Sequence, residues 1–155
     1  MNVLRIFFAV LVLVLVGLQL VHTSHNESAR TSPEDLFAKY PAPATVQNAI
    51  RESCYDCHSD NTRYWWYDNI QPVAWWVGRH ISEGKDHLNF SEFGRYEPKR
   101  AARKLEQSYE EIDSSDMPLL SYRLIHPKSR LTADVKKQIL VWLDATQDQI
   151  EPDGK

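Results

Sequence analysis

The sequence predicts an all-α domain with long loops, set behind a single N-terminal apolar helix. Three observations predict it. Apolar side chains recur at helical spacing in several separate stretches, and helix-starting residues stand in front of them. Glycine is scarce, with five in 155 residues. Dense runs of alternating β-branched residues, which strands would need, are missing. Beyond the leader the length suits one small domain rather than two. With 43% hydrophobic and 25% charged residues, a packed core and an ordinary soluble surface are both feasible. The expected division is a signal anchor or signal peptide over 1–22, a flexible tether over 23–32 and a folded domain over 33–150.

The leader comes first. Arg5 precedes an uninterrupted apolar run from Ile6 to Leu18, which Leu20 and Val21 extend past Gln19. A positive start before such a run directs export and leaves the amino terminus in the cytoplasm. Val3 to Val21 is 19 residues, roughly 28 Å of helix, just enough to cross a hydrocarbon core. The strictly apolar part is shorter and also fits a cleavable signal peptide. No small-x-small site follows Leu20, where the chain reads Val21-His22-Thr23-Ser24, so an uncleaved anchor is the preferred reading. Either way the remainder is exported. The expected location is the inner membrane, single-pass with the domain in the periplasm, or the periplasm itself if the leader is cut.

The domain then reads as a series of helices. Ser32-Pro33-Glu34-Asp35 has the form of a helix start, and Pro41 and Pro43 stop that helix at Tyr40. Thr45 caps a second helix, with Val46, Ala49, Ile50 and Ser53 on one face, which runs directly into Cys54. Arg63 to Tyr67 is an aromatic loop. Pro72 opens a helix carrying Val73, Trp76, Val77 and Ile81, with Gly84 placed to close it. The segment from His87 to Tyr96 shows no period and reads as loop. A further helix runs from Pro98 to about Ile112 with Ala102, Leu105, Tyr109 and Ile112 inward. Ser114 to Pro127 is irregular, and Thr132 caps a last helix with Val135, Ile139, Trp142 and Leu143 buried. Such long loops suit a domain whose centre is filled by a large flat ligand.

Charge and cysteine content narrow the function. The net charge is −3 and no basic stripe tracks a phosphate backbone, so no nucleic acid is expected as a partner. The two cysteines lie three positions apart, which excludes a disulfide framework. Cys54-Tyr55-Asp56-Cys57-His58 is the C-x-x-C-H pattern of c-type haem attachment. Two cysteines at that spacing reach both vinyl groups of one porphyrin, and the following His58 lies under the iron as the proximal ligand. The competing readings are weaker. A thioredoxin-type dithiol expects a βαβ context, a zinc site needs four ligands, and a disulfide here would close a very short loop. The expected cofactor is therefore one covalent haem c, held in a small cytochrome c-like helical domain.

For the other side of the iron, Met117 is the one methionine besides the initiator. It stands before Pro118 in a loop, and a thioether is a good axial ligand; the competing role is filling a gap in the core. His80, His87 and His126 are the rival ligands, whereas His22 and His25 lie too near the membrane. Trp65, Trp66, Trp75 and Trp76 could wall the porphyrin or simply form core. Arg63 and Arg79 are candidate propionate partners or plain surface charges.

From about Ile50 to Trp142 the chain resembles a bacterial haem-binding domain family whose members carry one C-x-x-C-H. The matching stretches are Cys54 to Ser59 with Thr62-Arg63-Tyr64, Pro72-Val73-Ala74-Trp75-Trp76, His87-Leu88-Asn89-Phe90-Ser91, Met117-Pro118-Leu119, Ser121-Tyr122 and His126-Pro127. One departure is Leu120, where the family pattern leads one to expect proline. The resemblance implies an envelope protein in a redox setting, with haem on Cys54, Cys57 and His58 and Met117 as distal ligand.

The expected function is one-electron transfer by a membrane-tethered mono-haem cytochrome with His58 and Met117 on the iron. A redox partner protein in the membrane or periplasm would exchange the electron. The alternative is a haem-based sensor or small-ligand-binding module in the envelope. No acid/base constellation stands out near the motif, so an electron carrier is expected rather than a catalyst.

Overall fold

The computed structural model describes residues 2–21, 23–28 and 31–151. Its regular elements are helices, and the one extended pairing among the described residues is an isolated bridge between Glu27 and Asn61. The all-α expectation holds.

α1 spans Val3–Leu18 and has no buried residue. Its 16 residues make about 24 Å of helix, less than the 19-residue span expected from the sequence. Among the described residues no helix is long and apolar enough to cross a membrane. The chain does not unravel at Leu18. Gln19, Leu20 and Val21 donate to the carbonyls of Val16, Gly17 and Leu18, each at 3.1 Å, so the helix tightens into i→i−3 bonding.

Within the expected tether, residues 23–28 lie along the loop after His58. The Asn26 side chain donates to Ser59 O at 2.7 Å and to Thr62 Oγ1 at 2.9 Å, and accepts from Lys85 Nζ at 2.7 Å. Backbone bonds run from Thr62 to Asn26 and from Ser28 to Asp60. A single amide with donors and an acceptor meets complementary groups on three sides, and that overrides the local polarity that suggested freedom.

α2 is one turn, Leu36–Lys39, capped by Asp35, whose carboxylate accepts from Phe37 N at 3.0 Å. α3 spans Ala44–Ser53, starting one residue before the expected cap, Thr45. α4, Tyr55–His58, carries the cysteine motif. A 3₁₀ turn at Trp66–Asn69 leads to α5, Val73–His87. A second 3₁₀ segment, Phe90–Arg95, fills what read as loop. α6 runs from Pro98 to Ser114 and ends on Ser115 in the left-handed region, φ 69°. α7, Leu120–Ile125, is a short helix inside the stretch expected to be irregular. α8, Ala133–Ile150, is capped as expected by Thr132, which accepts from Val135 N at 3.3 Å.

Leu36, Phe37, Val46, Ile50, Tyr55, Leu88, Phe90, Phe93, Ala101, Leu105, Ile112, Ile139 and Leu143 form one buried cluster, and α6 packs along α8 at its heart. α6 and α8 meet because each turns an apolar stripe inward, as their spacing foretold. The expected inward Tyr109 is 38% exposed, while Ala101 takes a core position. The cysteine turn lies at the edge of this core.

Candidate functional site

α3 delivers the chain into the motif without a break. Cys54 N still donates to Ile50 O at 2.9 Å, and Cys54 O accepts from Cys57 N at 3.2 Å and His58 N at 2.9 Å. Both sulfurs therefore leave one tight turn. Neither cysteine is in a disulfide, and each is half-buried. Burial pushes the Cys54 thiol from its ordinary 9.0 up to about 12, with Cys57 adding to the rise. Burial likewise lifts Cys57 to about 11, helped by the charges of Asp56 and Asp68. Both are neutral thiols at neutral pH.

His58 Nδ1 lies 3.0 Å from Leu88 O. A carbonyl only accepts, so Nδ1 carries the proton and Nε2 keeps its lone pair. Burial lowers the His58 pKa against the opposing effect of that carbonyl bond. The side chain is thus held neutral, with Nε2 as the nitrogen that keeps its lone pair.

The surrounding motif residues explain themselves once placed. Phe90 stacks on Tyr55 at 5.1 Å between centroids. Asn89 donates to Asp60 Oδ1 at 3.0 Å, and Ser91 Oγ accepts from Asp60 N at 3.0 Å. The segment read as featureless loop is therefore the strap that carries the Leu88 carbonyl to His58. Gly84 does not end α5. A Cβ there would stand 2.7 Å from Cys57 O, so its absence lets α5 lie directly on the cysteine turn.

Asp56, 6% exposed, ties the turn to its other neighbours. Its carboxylate accepts from Arg63 Nε at 3.0 Å, Arg63 Nη2 at 3.2 Å and Tyr122 Oη at 2.5 Å. Arg63 also pairs with Glu52 at 2.8 Å. Its guanidinium pKa is raised, first by the Asp56 hydrogen bond. As a propionate partner Arg63 is already engaged. Arg79 pairs with Glu83 on the surface, at 2.7 Å.

A groove runs beside Cys57, between the outer face of α5 and α7. Its walls are Trp65, Trp76, Val77, His80, Ile81, Leu119, Tyr122, Ile125 and His126, with Asp56, Arg63, Tyr67 and Asp68 towards one end. It is shallow, with a cavity volume of about 50 Å³, below that of a preformed small-molecule or cofactor site. The walls are mostly apolar and aromatic. Asp68 is 4% exposed, and its Oδ1 has no hydrogen-bond partner. Burial raises its pKa, opposed by the bond from Trp65 N.

The structure thus gathers Cys57, His80, His126, Trp65 and Trp76 around one groove. Cys54, His58, Met117, His87, Trp66 and Trp75 do not line it. Met117 is half-buried just after α6, its N–H bonded to Glu111 O at 3.1 Å, two residues before groove-lining Leu119. His126 is buried, with Nε2 2.5 Å from the Tyr67 hydroxyl. His80 Nδ1 bonds to Trp76 O at 2.8 Å, which leaves Nε2 as its available nitrogen. His87 is exposed, and His25 stacks on Tyr64 at 4.0 Å. His22 lies outside the described residues. Sequence reasoning missed Leu88 O, Gly84 as a packing residue, and the Asp56–Tyr122 bond; Leu88, Asp56 and Tyr122 were signalled only by lying in the matching stretches, and Gly84 by nothing.

These residues fit a covalently attached haem. Two neutral thiols stand on one turn, the next imidazole offers Nε2, and an apolar aromatic groove adjoins one sulfur. Among the described residues no group of three or more His, Cys, Asp or Glu could hold a bare metal ion.

One consequence concerns pH. Well below pH 9.0 the thiols are neutral in folded and unfolded chains alike. Between 9.0 and about 11 the unfolded thiols ionise while the folded ones resist, so the haem-free protein loses stability as pH rises. Thioether sulfur does not titrate, so the haem-loaded protein lacks this part of the alkaline loss. Urea midpoints across that window should fall more steeply without haem; equal slopes would refute the assignment.

No curated protein and no solved structure matches the chain. A family model described as a haem-binding domain matches residues 13–145, from within α1 to the last turns of α8. With the thiol pair, the neutral His58 and the groove in place, the conclusion is that this chain belongs to the haem-binding domain family.

Proposed function

We propose that the protein is a mono-haem c-type cytochrome, anchored by α1 and working outside the cytoplasm as a one-electron carrier. The observation that carries this is the Cys54–His58 turn, where two thiols precede an imidazole whose Nδ1–H is tied to Leu88 O. Cys54 and Cys57 would hold the porphyrin through thioether bonds, and His58 Nε2 would bind the iron. The haem, when bound, supplies an iron that changes oxidation state by one electron. The chain's part is to fix His58 in one tautomer, to exclude water with Trp65, Trp76 and Ile81, and to leave a haem edge reachable by a redox partner.

The anchor reading rests on the apolar run. α1 contributes about 24 Å, and the i→i−3 turn through Val21, rising about 2 Å per residue, brings the ordered segment to about 30 Å. That matches a bilayer core. The inner membrane, with the domain on the periplasmic side, is the location this implies.

The sixth iron position has two readings. Met117 is the ligand that the family resemblance implies. His80 is favoured by a separate observation, since its ring lines the groove with Nε2 available. Optical spectra of the full chain, exported in a host with c-type maturation machinery, decide between them. Met117 ligation gives a sulfur-to-iron charge-transfer band in the ferric protein, which Met117→Ala abolishes and His80→Ala leaves unchanged. His80 ligation gives a low-spin haem without that band, turned high-spin by His80→Ala. Both are indifferent to carbon monoxide when intact. Prompt carbonylation of the reduced wild type would instead support the sensor reading, and absence of covalent haem would remove the proposal altogether.

A further inference from the structure

Around Gln71 the domain carries an apolar face that the haem groove does not account for. Trp66 is 75% exposed, and Ile70, Val73 and Trp75 are each more than a third exposed. None of the four lines the groove. All four lie within ten positions along the chain, on either side of Gln71, and exposed apolar residues so concentrated point to an interaction surface.

What this face lies next to is set by hydrogen bonds. Gln71 is 4% exposed and spends every polar atom on its neighbours. Its N–H donates to Gln19 Oε1 at 3.0 Å and its carbonyl accepts from Gln19 Nε2 at 3.1 Å. Its side-chain amide donates to Val21 O at 3.0 Å, and its side-chain oxygen accepts from Trp75 N at 3.3 Å. One residue thus joins the end of α1 to the start of α5. The face is pinned where the apolar run of α1 stops. The family match also begins inside α1, so this end of the helix counts with the domain.

Two further points select the occupant. Tryptophan, amphipathic and rigid, concentrates at the level of lipid headgroups. From Trp65 to Arg79 the only acidic residue is Asp68, which is buried, so an anionic surface meets no exposed carboxylate there.

We propose that the domain rests directly on the bilayer, with Trp66, Ile70, Val73 and Trp75 in the headgroup layer and the Gln19–Gln71 pair holding them there. This rests on the reading of α1 as a membrane anchor. The haem domain is then not free on a leash. It keeps one orientation to the membrane, which fixes which part of its surface faces a partner embedded beside it.

The test uses the full haem-loaded chain in a phosphatidylethanolamine–phosphatidylglycerol bilayer. With Cys54 and Cys57 taken up by haem, a cysteine introduced by Trp66→Cys, Trp75→Cys or Val10→Cys is the sole thiol for a benzophenone label. Illumination followed by intact mass reads the product. The proposal expects one phospholipid added from positions 66 and 75 as well as from position 10. It also expects a several-fold lower yield at position 66 in the Gln19→Ala background, with position 10 unchanged. Lipid capture from position 10 alone would overturn the docked face and leave the anchor standing. Failure at all three positions would overturn both. A chain-to-chain adduct from position 66 would assign the face to a second copy and overturn the lipid assignment. A yield at position 66 that ignores Gln19→Ala would overturn the role given to the glutamine pair.

Discussion

Replacing both Cys54 and Cys57 by serine is expected to remove all covalently bound haem while the helical domain persists. Serine has almost the same shape as cysteine and cannot form the thioether bond, so the attachment chemistry is lost with little change in volume. The fold should survive because its buried cluster is assembled from Leu36, Val46, Ile50, Leu105, Ile139 and Leu143 and their neighbours, without either sulfur in it. The two single variants should differ. Cys54 packs against that cluster, whereas Cys57 faces the groove. Cys57→Ser is therefore the cleaner test of attachment, and Cys54→Ser adds a small packing cost. His58→Ala should keep the thioether bonds yet leave the iron without its proximal nitrogen, giving a high-spin spectrum. The measurement is haem content after acidified-acetone extraction, alongside far-ultraviolet circular dichroism. Haem that resists extraction in the double serine variant would defeat the attachment model.

The second large effect concerns two glycines on the same helix. Gly84→Ala is expected to destabilise the protein, and Gly78→Ala to leave it unchanged or firmer. In helix interiors alanine is better than glycine by about 0.8–1.0 kcal/mol, so propensity favours both changes equally. Their surroundings differ. A Cβ at position 78 meets nothing within 4 Å, whereas at 84 it meets Cys57 O at 2.7 Å, Cys57 C at 3.2 Å and Cys57 Cβ at 3.3 Å. Those atoms are backbone or the Cβ joined directly to it and cannot swing aside, so α5 must back away. Overpacking of this kind costs about 1–3 kcal/mol, and the wider separation also carries the Leu88 carbonyl away from His58 Nδ1. Denaturation midpoints and haem loading should therefore fall together for Gly84→Ala. If both substitutions behave alike, the close contact between α5 and the cysteine turn is not what the glycine serves.

That contrast shows how far sequence reading reached. Gly84 was expected to close its helix, because glycine near the end of an apolar period is a common stop signal. Nothing local distinguishes a glycine that ends a helix from one that admits a neighbouring backbone. The distinction belongs to Cys57, 27 positions earlier. The strap from Leu88 to Ser91 and the buried Asp56–Tyr122 bond escaped for the same reason, since each is a pairing between segments far apart in the chain.

What the sequence determined by itself was everything governed by neighbours along the chain. Helical period set α5, α6 and α8, Thr132 capped the last of them, and three-residue spacing put both sulfurs on one turn ahead of His58. These depend on backbone geometry over a few residues, which is the same wherever the segment sits. Only the tertiary structure decided that the apolar core closes on itself, that residues 23–28 are strapped down, and that His80 rather than Met117 lines the groove beside Cys57. Each of those outcomes depends on which surfaces meet across tens of residues. Packing complementarity settles that, and no single stretch of sequence contains it.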